Sequence, residues 1–438
     1  MKNSCFKEFF KYASLNVFGM IGLSCYILAD TFFISKGMGS DGLTALNIAI
    51  PIYSLMRGAG LMVGMGGAIR YSIYQSQGKQ EKADNAFSVT LFLCAFFALI
   101  YFFMGLLFAE PIARLLGAEG NVLTMTTTYL RVLLLFSPAF IYNDTMICFI
   151  RNDGAPSLSM TAMLMGSLSN IILDYVFIFT CGWGIFGAIL ATGLAPCISL
   201  LIQSSYIFRK KNKFHFHKPV FEKSLVGKIF SGGLPSLVTE LSNGIVVLIF
   251  NFILLDISGN IGVAAYGVIA NLSIVVMAVY TGIAQGVQPV VSKYFGMGNQ
   301  KNVSSVLKYS LIAIGIISAL MYAVIFFGAD KITSIFNSEN NSQLQKMAVY
   351  GLKIYFTASI FAGFNIVMSA FFTSVDNAKP GGIVSLLRGF FVIIPMSFLL
   401  SSLWGITGLW AVFPATEIIV AAVSLIFIIK SRNDKTSI

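Results

Sequence analysis

The sequence predicts an all-α polytopic membrane protein with twelve transmembrane helices in two pseudo-symmetric six-helix bundles. Of its 438 residues, 57% are apolar and only 11% are charged, whereas a soluble domain carries about 25% charged residues. Apolar stretches long enough to cross a hydrocarbon core of about 30 Å recur along the whole chain. An internal repeat relates the first half of the chain to the second. Together these observations exclude an ordinary water-soluble domain.

Twelve spans are predicted from hydropathy and length. The first span is not a cleaved signal peptide, because it is too long for an apolar signal core and contains Asp30. We therefore expect it to stay in the mature protein. The spans cover roughly residues 12–35, 43–74, 86–109, 123–149, 157–180, 185–208, 231–255, 262–293, 303–328, 345–372, 381–402 and 405–429.

The repeat is visible when Gly42–Asn85 is written above Gly262–Ser305, at an offset of 220 residues. Gly66 then pairs with Gly286. Further on, Trp183-Gly184-Ile185 matches Trp404-Gly405-Ile406 at an offset of 221. Six spans in each repeat mean that both halves cross in the same direction, so we expect a two-fold axis along the membrane normal.

The domain organisation follows from this repeat. We predict an N-terminal lobe at 1–208, a cytoplasmic linker at 209–230 and a C-terminal lobe at 231–438. The end of the linker, 221–230, fits either a short amphipathic helix in the inner interface or a plain basic loop.

Orientation follows from the distribution of lysine and arginine. With the N-terminus in the cytoplasm, 22 of the 29 basic residues lie on the inner side, including Arg388 and Lys435. Both termini are therefore predicted to be cytoplasmic. The net charge of +11 is explained by this bias and needs no nucleic-acid partner. Four basic residues fall on the outer side, namely Lys36, Arg114, Lys331 and Lys346. Three lie within spans, namely Arg57, Arg131 and Lys353.

Polar residues of the first lobe form a candidate cation site. Asp30, Asp174 and Thr192 are each predicted about 9–12 Å below the outer surface, at about 1.5 Å per residue. Asn170 is four residues before Asp174 and so lies on the same helix face. These oxygen ligands suit a hard monovalent cation or shared protons, since a cation offsets the burial and the repulsion of two carboxylates. The alternative is hydrogen bonding that merely joins helices.

Three further charged residues are candidates for a substrate cavity. Arg57 lies deep in span 2, and Glu240 and Glu417 lie in spans 7 and 12. The two acids either attract cationic substrates or serve as structural partners of Arg57. Asp144 is close enough to Arg151 in sequence to reach the inner interface.

No cofactor or structural metal is predicted. The six cysteines include no CxxC pair. His215 and His217 in the linker are too few to hold a metal. The only metal we expect is Na⁺ at the cation site.

The chain resembles the multidrug and toxic compound extrusion (MATE) family, and within it the MepA-like branch. The resemblance covers essentially the full length and depends on the order and spacing of several short motifs as well as on the duplicated halves. The motifs are Asp30-Thr31, Arg151-Asn152-Asp153-Gly154-Ala155-Pro156, Asn170-x-x-x-Asp174, Trp183-Gly184-Ile185-Phe186-Gly187-Ala188 with Thr192, and Gly233-Leu234-Pro235.

This resemblance implies a secondary multidrug antiporter with alternating access, which exports small organic cations and other lipophilic drugs in exchange for H⁺ or Na⁺. It also implies that Asp30, Asn170, Asp174 and Thr192 bind the coupling cation. We expect a multi-pass monomer in the plasma (inner) membrane of a prokaryote, in contact with membrane lipids. Relatives often bend span 1 at a proline; this span has none, and Gly19 and Gly22 are the hinge candidates.

Two other functions are weighed against this one. A lipid-linked oligosaccharide flippase of the same superfamily should carry more basic residues in its cavity, and only Arg57 is well placed. An integral-membrane enzyme is disfavoured because the spans contain no histidine and the chain has no HExxH, GxSxG or GKS/T motif.

Overall fold

The computed structural model describes residues 2–337 and 341–433. These residues form helices and connecting turns and no strand, which confirms the predicted all-α fold. Lys435 lies outside the described residues. The helices are α1 (Lys2–Ser76), α2 (Gln80–Leu115), α3 (Gly120–Leu135), α4 (Ser137–Asn152), α5 (Pro156–Tyr175), α6 (Gly184–Phe208), α7 (Lys223–Gly296), α8 (Gln300–Phe336), α9 (Ser342–Tyr355), α10 (Ser359–Ser374), α11 (Ala378–Leu386) and α12 (Ile393–Asn433).

The apolar segments fit the twelve predicted spans. Within the described ranges, eight helical segments are long and apolar enough to cross a membrane, and the pair α3 and α4, bent by 50°, makes a ninth. Three of the nine contain a non-helical glycine: Gly39 in α1, Gly259 in α7 and Gly405 in α12. Division at these glycines gives twelve segments. Large apolar side chains such as Leu107 and Phe327 are exposed, as expected of helices that face lipid.

The breaks in α1 and α7 fall at positions related by the sequence repeat. Gly39 has φ 63° and ψ −148°, and Gly259, at the same offset of 220 residues, has φ 58° and ψ −154°. Side chains strongly disfavour this backbone region, so each bend requires glycine. Gly184 and Gly405, at the offset of 221, also share a positive φ, of 53° and 57°. The duplicated sequence therefore makes duplicated bends.

The chain divides into two compact units. The N-unit comprises Ser14–Leu241 and Ser292–Gly298, and the C-unit comprises Met1–Ala13, Ser242–Val291 and Asn299–Ile438. The first turns of α1 and of α7 thus each pack in the unit made mainly from the opposite half of the sequence.

The linker is largely non-helical and lies against the N-unit. Residues 209–222 are not helical, and the helix predicted at its end is not a separate element but the start of α7. Leu225 and Ile229 on this first part of α7 are buried in the N-unit core. The backbone N–H groups of His215 and His217 donate to Asp84 Oδ1 (2.8 Å) and to Ser88 Oγ (2.9 Å) of α2.

Asp153 of the Arg-Asn-Asp-Gly-Ala-Pro motif binds the same linker segment. Its carboxylate accepts hydrogen bonds from Tyr71 Oη (2.6 Å), Tyr206 Oη (2.9 Å) and the backbone N–H of Lys213 (2.9 Å). Phe214 then inserts into an aromatic cluster with Tyr71 and Phe87. The motif therefore holds the linker against the helices.

Candidate ion-coupling and substrate site

Close packing of α1 against α5 positions the predicted cation site. A Cβ atom at Gly22 would lie 2.5 Å from Leu164 Cδ2, and one at Gly19 would lie 3.0 Å from Met163 Sδ. The two glycines therefore let the helices approach closely. The only non-helical residue within α1 is Gly39, so Gly19 and Gly22 lie in regular helix here.

The structure brings the four predicted cation-site residues together in the N-unit. Asp30 lies in α1, Asn170 and Asp174 lie one turn apart in α5, and Thr192 lies in α6. All four side chains are buried. The Asn170 amide donates to Asp174 Oδ2 (3.0 Å) and accepts from Thr192 Oγ1 (3.3 Å), because this orientation satisfies both of its ends.

The carboxyl groups of Asp30 and Asp174 lie within hydrogen-bonding distance of each other. The Oδ1 atom of each carboxyl group is buried and accepts no hydrogen bond from the described residues. Two bare carboxylates so close together repel each other strongly, and a proton or a cation between their oxygens would relieve this repulsion. The donor set, two carboxylates, an amide and a hydroxyl, fits Na⁺ or H⁺.

A π-helical turn, Val176–Thr180, follows Asp174 almost directly. The Cys181 N–H reaches back to the Val176 carbonyl at 2.8 Å, and Gly187 of α6 packs against Phe177. Such turns are frequent at functional sites. This one ends the helix that carries Asn170 and Asp174 and holds it against α6.

Sequence reasoning missed three tyrosines around the site. Tyr129 lies near enough to Asp30 and Asp174 to interact with their charges. Tyr26 is one helical turn before Asp30, and its hydroxyl lies 3.1 Å from that of Tyr53. Tyr26 could have been found from the sequence, because its i, i+4 spacing places it on the same helix face as Asp30.

Arg57 and Glu240 of the predicted substrate cavity also lie in the N-unit, where Asp144 joins them. Arg57 Nε lies 3.7 Å from Asp144 Oδ2, with side chains 11% and 13% exposed. The Asp144 carboxylate, which we expected to reach the inner interface, pairs with Arg57; its depth in the membrane stays a prediction. Glu240 interacts electrostatically with both residues.

Glu417 belongs to the other unit, the C-unit. It is fully buried, forms an ion pair with Arg388 and accepts from Asn365 Nδ2 at 2.7 Å. Arg388, counted from the sequence among inner flanking charges, instead lies in the π-helical turn Leu387–Phe391 and is only 17% exposed. Pairing with a buried carboxylate explains why an arginine is accepted there.

No cluster of three histidine, cysteine, aspartate or glutamate side chains suited to a metal ion occurs in the part of the chain that the structure describes. The fold therefore consists of two units of apolar helices built on a duplicated sequence, with buried carboxylates inside them. This is the class of a secondary transporter, in which intramembrane acids mark ion and substrate paths.

Comparison with known proteins agrees with this class. The model of the MatE family matches residues 16–176 and 235–399. Multidrug export protein MepA of Staphylococcus saprophyticus is 26% identical over 98% of this chain and 95% of its own length. MepA of Staphylococcus aureus is 25% identical over the same shares. A solved outward-facing multidrug resistance MATE family transporter of the MOP superfamily superposes with a TM-score of 0.92, at 22% identity, over 98% of this chain and 97% of that one.

The chain belongs to the MatE family of multidrug and toxic compound extrusion transporters. It is a multi-pass membrane transporter and not an enzyme. The resemblance seen in its motifs is thereby confirmed.

Proposed function

We propose that the protein is a multidrug antiporter that exports lipophilic organic cations in exchange for H⁺ or Na⁺. The buried pair of carboxyl groups of Asp30 and Asp174 carries this proposal, because it needs a proton or cation to be stable. The similarity to relatives that are named multidrug export proteins, over 98% of this chain, supports the substrate class.

Coupling follows from the repulsion within this pair. With a proton or Na⁺ bound, α1 and α5 can pack closely at Asp30 and Asp174, whereas the empty pair disfavours that packing. The ion can shift the conformational equilibrium only by its difference in affinity for the two states. An ion that enters from outside therefore favours the state that has released its substrate, and its release to the cytoplasm prepares the site for the next substrate.

Substrate attraction is assigned to Glu240, since the guanidinium that interacts with its charge, that of Arg57, is shared with Asp144. Glu417 is assigned a structural role in the C-unit, because Arg388 and Asn365 occupy its oxygens. We further propose that the transporter acts as a monomer in a prokaryotic plasma membrane, with both termini in the cytoplasm.

The test is cation accumulation by purified protein in liposomes. Liposomes that contain Na⁺ or an acidic buffer, diluted into medium without it, should accumulate ethidium from outside, since the ion leaves as the substrate enters. An ionophore that collapses the gradient should abolish the accumulation. Uptake no greater than that of protein-free liposomes under both gradients would refute the function.

The flippase alternative is not favoured. A pyrophosphate headgroup needs an excess of positive charge, whereas Arg57 lies beside two acids, Asp144 and Glu240.

A further inference from the structure

The group formed by Arg57, Asp144 and Glu240 carries an unbalanced charge. The three residues come from α1, α4 and α7, and each interacts electrostatically with the other two. One guanidinium and two carboxylates give this group, in the ionised state, a net charge of −1. We call it the charge triad.

Arg57 does not fully satisfy Asp144. Asp144 Oδ2 is buried, and no described residue donates a hydrogen bond to it. Its cationic neighbour, Arg57 Nε, lies 3.7 Å away, which is longer than a charge-assisted hydrogen bond of about 2.7–2.9 Å. A buried carboxylate in this state gains strongly from one more positive charge nearby.

Aromatic rings stand beside the triad. Tyr53, four residues before Arg57, interacts with the charges of all three triad residues. Its ring meets that of Phe140 edge-on at 5.8 Å, and its hydroxyl is 3.1 Å from that of Tyr26. Aromatic faces together with net negative charge suit an organic cation better than a hydrated metal ion.

We propose that Arg57 sets the number of positive charges on the transported substrate. The triad, at −1, is neutralised by one monovalent organic cation, and Arg57 cancels the charge that would otherwise recruit a divalent one. This inference rests on the proposed export of organic cations and extends it to a charge specificity. Arg57 is thus a specificity-determining residue rather than only a helix-joining ion pair.

The test compares the binding of two permanently charged probes by purified protein in detergent. Tetraphenylphosphonium carries one positive charge and methyl viologen carries two. In Arg57→Gln the triad becomes −2, and the ratio of the two dissociation constants should shift at least about ten-fold towards methyl viologen. Arg57→Lys keeps the net charge and should keep the wild-type ratio.

A double variant separates charge from shape. Arg57→Gln combined with Glu240→Gln returns the triad to −1 and should restore the preference for tetraphenylphosphonium. Glu240→Gln alone gives a neutral triad and should weaken tetraphenylphosphonium binding about ten-fold or more. This single variant keeps the proposal testable if Arg57→Gln fails to fold, which size-exclusion chromatography would show.

The outcomes distinguish this inference from the function on which it rests. A wild-type protein that moves neither probe under a gradient refutes the export of cations. A wild-type protein that moves them, while a folded Arg57→Gln variant keeps the wild-type ratio or loses both affinities equally, overturns only the charge specificity. Unchanged tetraphenylphosphonium binding in Glu240→Gln would also overturn it.

Discussion

Buried charge is arranged differently in the two units. In the N-unit, the carboxyl groups of Asp30 and Asp174 face each other, whereas in the C-unit Glu417 faces the guanidinium of Arg388. The repeat offsets place buried phenylalanines, Phe250 and Phe413, at the positions equivalent to Asp30 and Thr192. The oxygen ligands of the first site are therefore not duplicated, and we expect a single coupling site of this kind.

Glu417→Gln tests the structural role of the second carboxylate. The change leaves Arg388 without its charged partner in a largely buried site, which should cost about 3 kcal/mol of stability. We expect a clear fall in thermal unfolding temperature, partly recovered when Arg388→Gln is added. If Glu417→Gln unfolds at the wild-type temperature but loses transport of cations selectively, Glu417 contacts substrate instead.

The sequence was sufficient to predict that Asp30, Asn170, Asp174 and Thr192 lie together, because three of them have similar predicted depths and Asn170 shares a helix face with Asp174. It was insufficient for Asp144 and Arg388. Their distance from the ends of spans suggested the inner interface, but each side chain points to an opposite charge on another helix. Such pairing depends on tertiary packing, which hydropathy does not record.

Two glycines related by the repeat, Gly286 and Gly66, lie against the backbone of the N-terminal parts of α1 and α7. A Cβ atom at Gly286 would lie 2.6 Å from the carbonyl oxygen of Tyr12 in the C-unit. A Cβ atom at Gly66, its repeat partner, would overlap the carbonyl oxygen of Ile229 in the N-unit. The repeat identified from sequence thus corresponds to two equivalent backbone contacts.

Substitution of these glycines by alanine should separate the backbones. We expect Gly66→Ala and Gly286→Ala each to lower folded yield and thermal stability, since a backbone carbonyl cannot move aside as a side chain can. Gly315→Ala is the matched control, because nothing lies within 4 Å of its added methyl group. Wild-type yield and stability for both Gly66→Ala and Gly286→Ala, measured by fluorescence-detected size-exclusion chromatography, would refute the close contact.

The spans and the repeat could be predicted, since hydrophobic length and residue spacing are local properties of the chain. The linker could not. Its basic residues suggested a loop or an interfacial helix, whereas buried acceptors on distant helices, Asp84 and Asp153, bind its backbone. No pattern within the linker itself encodes these partners.

For the whole molecule, the asymmetry of basic residues predicts the topology in the membrane. Single cysteines introduced in a cysteine-free background at the exposed positions Lys211 and Glu119 should react with an impermeant maleimide from opposite sides, Lys211→Cys from the cytoplasm and Glu119→Cys from outside. Labelling of both from the same side of intact cells would contradict the twelve-span arrangement.

Gradient-driven accumulation by carboxyl variants tests the coupling mechanism most directly. In liposomes, Asp30→Asn and Asp174→Asn should each abolish accumulation under a Na⁺ or H⁺ gradient while the proteins stay folded, because a permanently neutral side chain no longer responds to the ion. Thr192→Ala removes one neutral oxygen and should only weaken the ion dependence. Asp256→Asn, the same change at an exposed carboxylate, should accumulate substrate like the wild type. Full ion-driven accumulation by both Asp30→Asn and Asp174→Asn would show that this pair does not couple transport to the ion.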